Sequence, residues 1–480
     1  MAASLRWNAV VNTARVGMNV IFPLITFPYV SRVLGPASYG KVEFVQSIVM
    51  YFIVFSSFGI PLYGIREIAR IRQDRAERDK LFSEIFTLHA LFTGLILVAY
   101  LLVISCFPFF RKDFGLYLLF SAYIVLSLIG VDWFYQGEER YSYITVSSLV
   151  IKILSLGILF GFVKTQNDII PYCLYVMSLS VGSNLLNAIL VARDVRFRLP
   201  KLSRIARHLR PVFAVFLLNF IGSFYLNLDK AMLGFLSGDY SVGIYAAANK
   251  VTGIVISLVT SVNAVMLPRI SYYLGNDQEA KFKEITSTYA TLLLAVLLPA
   301  VFGLWIVAPD IMAVLSGNGF AGSSSVLRIL APVLGFIGLS HFSGVIMLYP
   351  KKKEWVMMYT FLAAAGINVV ANFILIPRLG ANGAAISAAM AEGIVVVLQM
   401  TYCIAMLKLR IKLPKVMASL VFSVTMAVLL LFLNSQLMGL SPAMRLASDV
   451  LLGSIGFAVL ARVFLFDELK WVFGTGNRIG

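Results

Sequence analysis

The sequence predicts an all-α polytopic membrane protein of about 14 transmembrane helices, arranged as two six-helix lobes and two further C-terminal helices. Three observations predict it. Apolar stretches of about 20 residues recur along the chain, each long enough to cross roughly 30 Å of hydrocarbon as a helix. Lys and Arg gather in alternate connections between those stretches, as expected where basic loops stay on the cytoplasmic side. A pattern near the first hairpin also returns about two hundred residues later with the same orientation. With 60% of its 480 residues in the set AVILMFWYC and only 13% charged, the chain cannot be a water-soluble enzyme.

In chain order the spans are expected over 9–31, 43–64, 84–107, 114–135, 143–163, 169–191 and 212–236, then 241–267, 286–308, 325–349, 355–376, 382–406, 416–434 and 445–465. What remains is too little for a soluble domain. The first stretch carries Asn12, Arg15 and Asn19 and lacks a small-residue cleavage site, so it reads as a retained span and not as a signal peptide. Cys106, Cys173 and Cys403 lie in or beside apolar segments without CxxC or Cys/His spacing, so neither a disulfide framework nor a metal site is expected.

The net charge of +17 would suggest nucleic acid in a soluble chain, but here its placement gives it another meaning. The loop after the second span holds Arg66, Arg70, Arg72, Arg75, Arg78 and Lys80, and the connection from 192 to 211 holds seven more cations. Of the 40 Lys and Arg, 28 fall in the tails and even-numbered loops, counting Arg462 at the inner end of the last span, against seven in the odd-numbered loops. That asymmetry puts both termini in the cytoplasm, because a missed helix would scramble the alternation from that point on. The surplus is therefore topological, and no nucleic-acid partner is expected.

The repeat pairs FPYVSRVLGPASYGKVEFVQSI with LDKAMLGFLSGDYSVGIYAAANK: a span end, a Leu-Gly, a short outer turn, then Tyr and Gly opening the next span. The charged loops that follow, REIARIRQDRAERDKLFSEI and PRISYYLGNDQEAKFKEIT, also correspond. Six intervening spans give the copies one orientation, so they read as parallel repeats. The expected domains are an N-terminal lobe over 1–200, a C-terminal lobe over 201–410, and the last two helices with a cytoplasmic tail over 411–480.

Five cations, Arg15, Lys152, Lys230, Lys250 and Arg328, fall inside the predicted spans, where a charge costs about 2.5–3.5 kcal/mol unless paired or hydrated. Arg328 sits at the outer start of its span and reads as interfacial. In the first span Asn12, Arg15, Asn19, Pro23 and Thr26 share a helical face, as do Asn219, Ser223, Asn227 and Lys230 in the seventh. Asn249 beside Lys250, and Asn184 and Asn187 in the sixth span, extend this polar set, although asparagines also bond across packed helices and lysines snorkel. Asp229 stands to neutralise Lys230 or a neighbouring cation, or to bind a coupling ion, and Glu392 is the other coupling candidate. Cations outnumber these acids, which points to an anionic substrate such as a phosphate or diphosphate. No P-loop, kinase, hydrolase or His/Cys signature is present, so no cofactor is expected.

The N-terminal N-x6-N-x-IFPLITFPYVSRVLGPASYGKVEF, the second-lobe LDKAMLGFLSGDYSVGIYAAANK, VMLPRIS, and INVVANFILIPRLGANGAAISAAMAE together resemble bacterial polysaccharide flippases of the Wzx (O-antigen translocase) type, in the multidrug/oligosaccharidyl-lipid/polysaccharide exporter superfamily. The resemblance runs the length of the chain and lies in the order and spacing of these segments. It implies two lobes in a V around a central cavity in the bacterial inner membrane. It also implies transport of an undecaprenyl-diphosphate-linked oligosaccharide to the outer leaflet by alternating access. A coupling ion (H+ or Na+), membrane lipid, a polysaccharide polymerase and a chain-length regulator are the partners it suggests. Arg15, Lys230 and Lys250 fit the role of lumen cations meeting the diphosphate, with Lys152 beside them. The competing readings are a multidrug exporter, which would favour acids over these cations, a lipid II flippase, and a membrane-embedded glycosyltransferase, which would need a larger extramembrane region.

Overall fold

The computed structural model describes residues 5–276, 278–437 and 439–466, with side chains described outside 5–16, 19–20, 218–219, 221–226, 258–262 and 264–265. Among the described residues the chain is helical, without a strand, and divides into two compact units, Met1–Gly234 and Phe235–Gly480.

The first unit begins with α1 (Leu5–Ser57), which covers both of the first two predicted spans. No loop separates them: the helix breaks only at Gly35 (φ 68°, ψ 173°), a backbone region open to glycine, and resumes at once through Pro36. Next come α2 (Ile60–Ile71), α3 (Arg75–Cys106), α4 (Phe114–Leu128), the short α5 (Asp132–Gly137), α6 (Tyr141–Phe162), α7 (Ile169–Asp194), the short α8 (Leu202–Ala206) and α9 (Leu209–Ser237). The charged segment expected as a loop after the second span is mostly helical, forming α2 and the first turns of α3. Asp74 caps α3 by accepting the Ala76 and Glu77 N–H groups at 2.9 and 3.1 Å. Beyond that polar start, Leu91, Leu95, Val98 and Leu102 are exposed at helical spacing while Leu88, Tyr100 and Ile104 are buried, so α3 turns one apolar stripe to lipid and one to protein.

The second unit continues through α10 (Asp239–Gly275), α11 (Glu279–Ser316), α12 (Gly322–His341) with a π-helical extension (Phe342–Leu348), α13 (Glu354–Leu379), α14 (Ala381–Ala405), α15 (Leu413–Gln436) and α16 (Pro442–Phe464). Its centre is α11, a span 56% buried, against 11% for α16, which packs on α11 and α15 at the edge. At about 1.5 Å per residue its 38 residues reach about 57 Å, well beyond the hydrocarbon thickness. Ser343 donates to Gln399 Oε1 at 2.7 Å, and Gln399 donates to Thr360 at 2.9 Å. These bonds satisfy the buried polar groups where the π segment, α13 and α14 meet. The last two helices are fixed to α11 by Ser419, which donates to the Ala295 carbonyl (2.8 Å), and by Arg445, whose Nη2 lies 2.6 Å from Asp310 Oδ1.

Eleven of these segments are long and apolar enough to cross a membrane among the described residues, and every span expected from the sequence overlaps a helix. The chain is therefore a multi-pass membrane protein. The two sequence copies share a backbone device, since Gly238 (φ 82°, ψ 176°) breaks the chain between α9 and α10 with nearly the dihedrals of Gly35. In the second copy this turn comes four residues after the Leu233-Gly234 pair that aligns with Leu34-Gly35. Gly234 stays inside α9, and the Phe44 ring of α1 occupies the place its Cβ would take.

Candidate functional site

In an apolar helix bundle the informative side chains are the charged ones that have been withdrawn from water. In the first unit two of the predicted cations meet α1. Lys230, in the penultimate turn of α9, places its Nζ 2.7 Å from Glu43 Oε2. Their side chains are only 22% and 11% exposed, so this ion pair is mostly removed from solvent. Close approach of the helices makes it possible, since Gly234, one turn beyond Lys230, seats against Phe44, the residue after Glu43. Tyr39, one turn before Glu43 on the same helix, is fully buried. Lys152, on α6 and 8% exposed, lies with Nζ 5.8 Å from the centroid of the Phe22 ring of α1, within cation–π range.

Asp229 is not the partner of Lys230. Asp229 itself is half-buried and engaged with neighbouring groups. Asn227 is half-buried on the same helix. Glu43 escaped the sequence reading because it is the first residue of its predicted span and looked like part of the outer turn with Lys41. Its charge next to a buried Tyr39 at helical spacing was the available signal, and it needed the knowledge that no loop follows Gly35.

The remaining candidates are distributed differently. Lys250 and Asn249 are half-buried on α10, and Glu392 is buried on α14, all in the second unit and engaged with neighbouring groups in the cases of Lys250 and Glu392. Arg15, Asn12, Asn19 and Asn219 lie outside the residues whose side chains the structure describes. Asn184 and Asn187 act as helix clamps: Asn184 donates to the Leu126 carbonyl at 3.0 Å, while Asn187 donates to Asp132 and accepts from Ser147 at 2.8 Å. Arg328 stacks on Trp305 with its guanidinium 4.9 Å from a ring centroid. Among the described residues no cluster of His, Cys, Asp and Glu is arranged to hold a metal.

The basic end of the first unit is a charged lattice. Arg78 pairs with Glu138 and with Asp79 (2.9 Å), Arg140 bridges Glu138 (3.1 Å) and Asp194 (2.7 Å), and the Arg196 N–H donates to Asp79 at 3.1 Å. Burial works against the charge on Arg140. Hydrogen bonding to Tyr143, Glu138 and Asp194 outweighs it and holds the guanidinium pKa above its ordinary value. The lattice thus ties the start of α3, the α5–α6 junction and the end of α7 into one rigid cap.

Charged pairs held inside long apolar helices define a polytopic membrane protein. Solved structures agree on the fold. One titled lipid II flippase MurJ, inward closed conformation, superposes with a TM-score of 0.77 at 14% identity, over 96% of this chain and 99% of that one. An inward-facing multidrug resistance MATE family transporter of the MOP superfamily gives 0.62 at 15%, over 82% and 97%. The model of the family described as polysaccharide biosynthesis protein matches residues 5–274, more than half of the chain, and the MatE model matches 214–374. The chain belongs to the polysaccharide biosynthesis protein family. It is 26% identical over 83% of its length to 96% of a protein of Escherichia coli (strain K12) named "Putative O-antigen transporter". It is also 24% identical, over 51% of each chain, to the "Probable low-salt glycan biosynthesis flippase Agl15" of Haloferax volcanii.

Proposed function

We propose that the chain is a Wzx-type flippase that moves an undecaprenyl-diphosphate-linked oligosaccharide, an O-antigen or related repeat unit, from the inner to the outer leaflet of the bacterial cytoplasmic membrane. The observation that carries this reading is the polysaccharide biosynthesis match over residues 5–274, the same stretch that holds the intramembrane cations Lys152, Lys230 and Lys250. An anionic diphosphate crossing hydrocarbon needs compensating positive charge along its route, and lysine and arginine supply it. In this reading Arg15, Lys152, Lys230 and Lys250 receive the diphosphate, Asn12, Asn19, Asn219, Asn227 and Asn249 line the polar route for the sugars, and the polyprenyl tail stays in lipid.

Transport runs by alternating access between lobes at 1–200 and 201–410, with 411–480 as an accessory pair of helices. Both termini lie in the cytoplasm, as the cation asymmetry suggests. With no nucleotide-binding motif in the chain, the drive is an ion gradient, H+ or Na+, with Asp229 and Glu392 as the carboxylates that bind the ion. A polysaccharide polymerase and a chain-length regulator act on the product side.

The test is export of surface glycan in a strain lacking the gene and carrying variants at matched protein levels. Lys250→Ala and Arg15→Ala are expected to cut export about tenfold or more, the scale of one lost charged hydrogen bond, while Lys250→Arg and Arg15→Lys retain most of it. Normal glycan in both alanine variants would overturn the assignment of these residues. Restored drug resistance without restored glycan would replace the reading by a multidrug exporter.

A further inference from the structure

The transport reading makes no use of a cleft at the basic end of the first unit. Its volume is about 670 Å3, and it is formed between the start of α3 and the segment that leaves α7, with Arg75, Arg196, Arg198, Lys201, Arg204 and Glu84 in its wall. That segment, RFRLPKLSR, interleaves cations with large apolar side chains, and the apolar ones point outward. Leu199 is 83% exposed, Leu202 74% and Phe197 49%, although each lies directly beside a charge. Topology explains why cations gather on this side, since basic loops are retained there. It does not explain why they wall a cleft, or why three large apolar residues next to them are left uncovered.

A surface segment with Lys and Arg among exposed Leu and Phe matches the chemistry of the membrane interface, where apolar side chains enter the acyl boundary and cations meet phosphates. The acids in the cleft are largely committed elsewhere. Asp79 accepts the Arg196 N–H, and Glu84 Oε2 is taken by Arg207 at 2.6 Å and by His208 at 3.0 Å. Glu84 Oε1, on a fully buried side chain that lines the cleft, has no hydrogen-bond partner. A buried acceptor in that position calls for a donor. The backbone around the cleft is held firmly, with the Arg198 N–H donating to Ser83 Oγ at 3.1 Å.

From this we infer that the cleft is a binding site for a membrane lipid that carries a phosphate ester and a neighbouring hydroxyl. The phosphate pairs with Arg198, Lys201 and Arg204, the hydroxyl donates to Glu84 Oε1, and Phe197, Leu199 and Leu202 enter the leaflet beside the acyl chains. Phosphatidylglycerol and a polyprenyl-diphosphate-linked sugar share this chemistry. The inference concerns this surface alone and stands whether or not the flippase reading holds.

The experiment is native mass spectrometry of the full-length protein in neutral detergent, titrated separately with phosphatidylglycerol, phosphatidylcholine and a polyprenyl-diphosphate-linked disaccharide. The wild type is compared with an Arg198→Gln/Lys201→Gln/Arg204→Gln variant whose melting temperature is recorded alongside. At about one factor of five per surface cation, removing three charges should weaken phosphatidylglycerol binding by roughly a hundredfold and leave phosphatidylcholine unchanged. The same loss confined to the polyprenyl probe supports the site and makes the carried lipid its ligand. A second variant, Leu199→Ser/Leu202→Ser, keeps every charge and should lower binding of the same probe while leaving its salt dependence intact. Equal binding by wild type and triple variant in both anionic arms would overturn the proposal, and so would an equal loss for phosphatidylcholine.

Discussion

The Glu43–Lys230 pair allows a worked prediction because its geometry sets the size of the effect. At 2.7 Å and an effective dielectric constant of about 20, suited to a pair that is mostly but not fully removed from water, the attraction is about 6 kcal/mol before desolvation is counted. Desolvating two ions offsets much of that, so a double-mutant cycle of Glu43→Gln, Lys230→Met and the combined variant should return a coupling of about 3–5 kcal/mol. Each single variant strands a half-buried charge and should cost about 3 kcal/mol or more, while the double variant, which strands none, should cost less than either. The assay is equilibrium unfolding of the purified protein in mixed micelles, with glycan export measured on the same four proteins. Export should separate the two residues. Lys230→Met removes the cation assigned to the diphosphate and should abolish transport in both backgrounds, whereas Glu43→Gln leaves that cation present. A coupling below about 0.5 kcal/mol, the level of an exposed pair, would refute the claim that this is a withdrawn ion pair joining α1 to α9.

Two other positions carry sharp expectations. Gly234→Val puts a branched side chain where the Phe44 ring lies, so it should destabilise the protein by about 2–3 kcal/mol and weaken the Glu43–Lys230 coupling when the cycle is repeated in that background. Arg445→Ala leaves Asp310, 6% exposed, without the guanidinium that meets it at 2.6 Å, for a cost of about 3 kcal/mol read as a lower unfolding midpoint; Asp310→Asn combined with Arg445→Gln should recover most of it.

The helices were legible because a membrane leaves the chain few options: apolar runs of span length must close their own backbone hydrogen bonds, and helices do so. The expected segments therefore fall on observed helices. Their ends were less legible. Hydropathy stops at the hydrocarbon edge, whereas α2, α3 and α11 continue as polar helix through residues read as loop, such as Arg66 to Lys80. The break between the first two spans was narrower than expected because Pro36 can restart a helix directly after a left-handed Gly35, which a window average cannot see. In the candidate site, Lys152 and Lys230 stood out as charges in apolar sequence. Glu43 did not, because its importance comes from a lysine 187 positions away. Asp229 looked like the natural partner of Lys230 because it is adjacent, but neighbours on a helix point about 100° apart.

The most direct test of the account is reconstitution. Purified protein would be placed in liposomes together with a polyprenyl-diphosphate-linked oligosaccharide, and the glycan exposed to an added impermeant glycosidase would be followed with time under an imposed pH or sodium gradient. The account predicts that nearly all of the glycan becomes accessible, at a rate that depends on the protein and falls at least tenfold in Lys230→Met. Cleavage that stops at the fraction initially facing outward, with and without the protein and under either gradient, would contradict it.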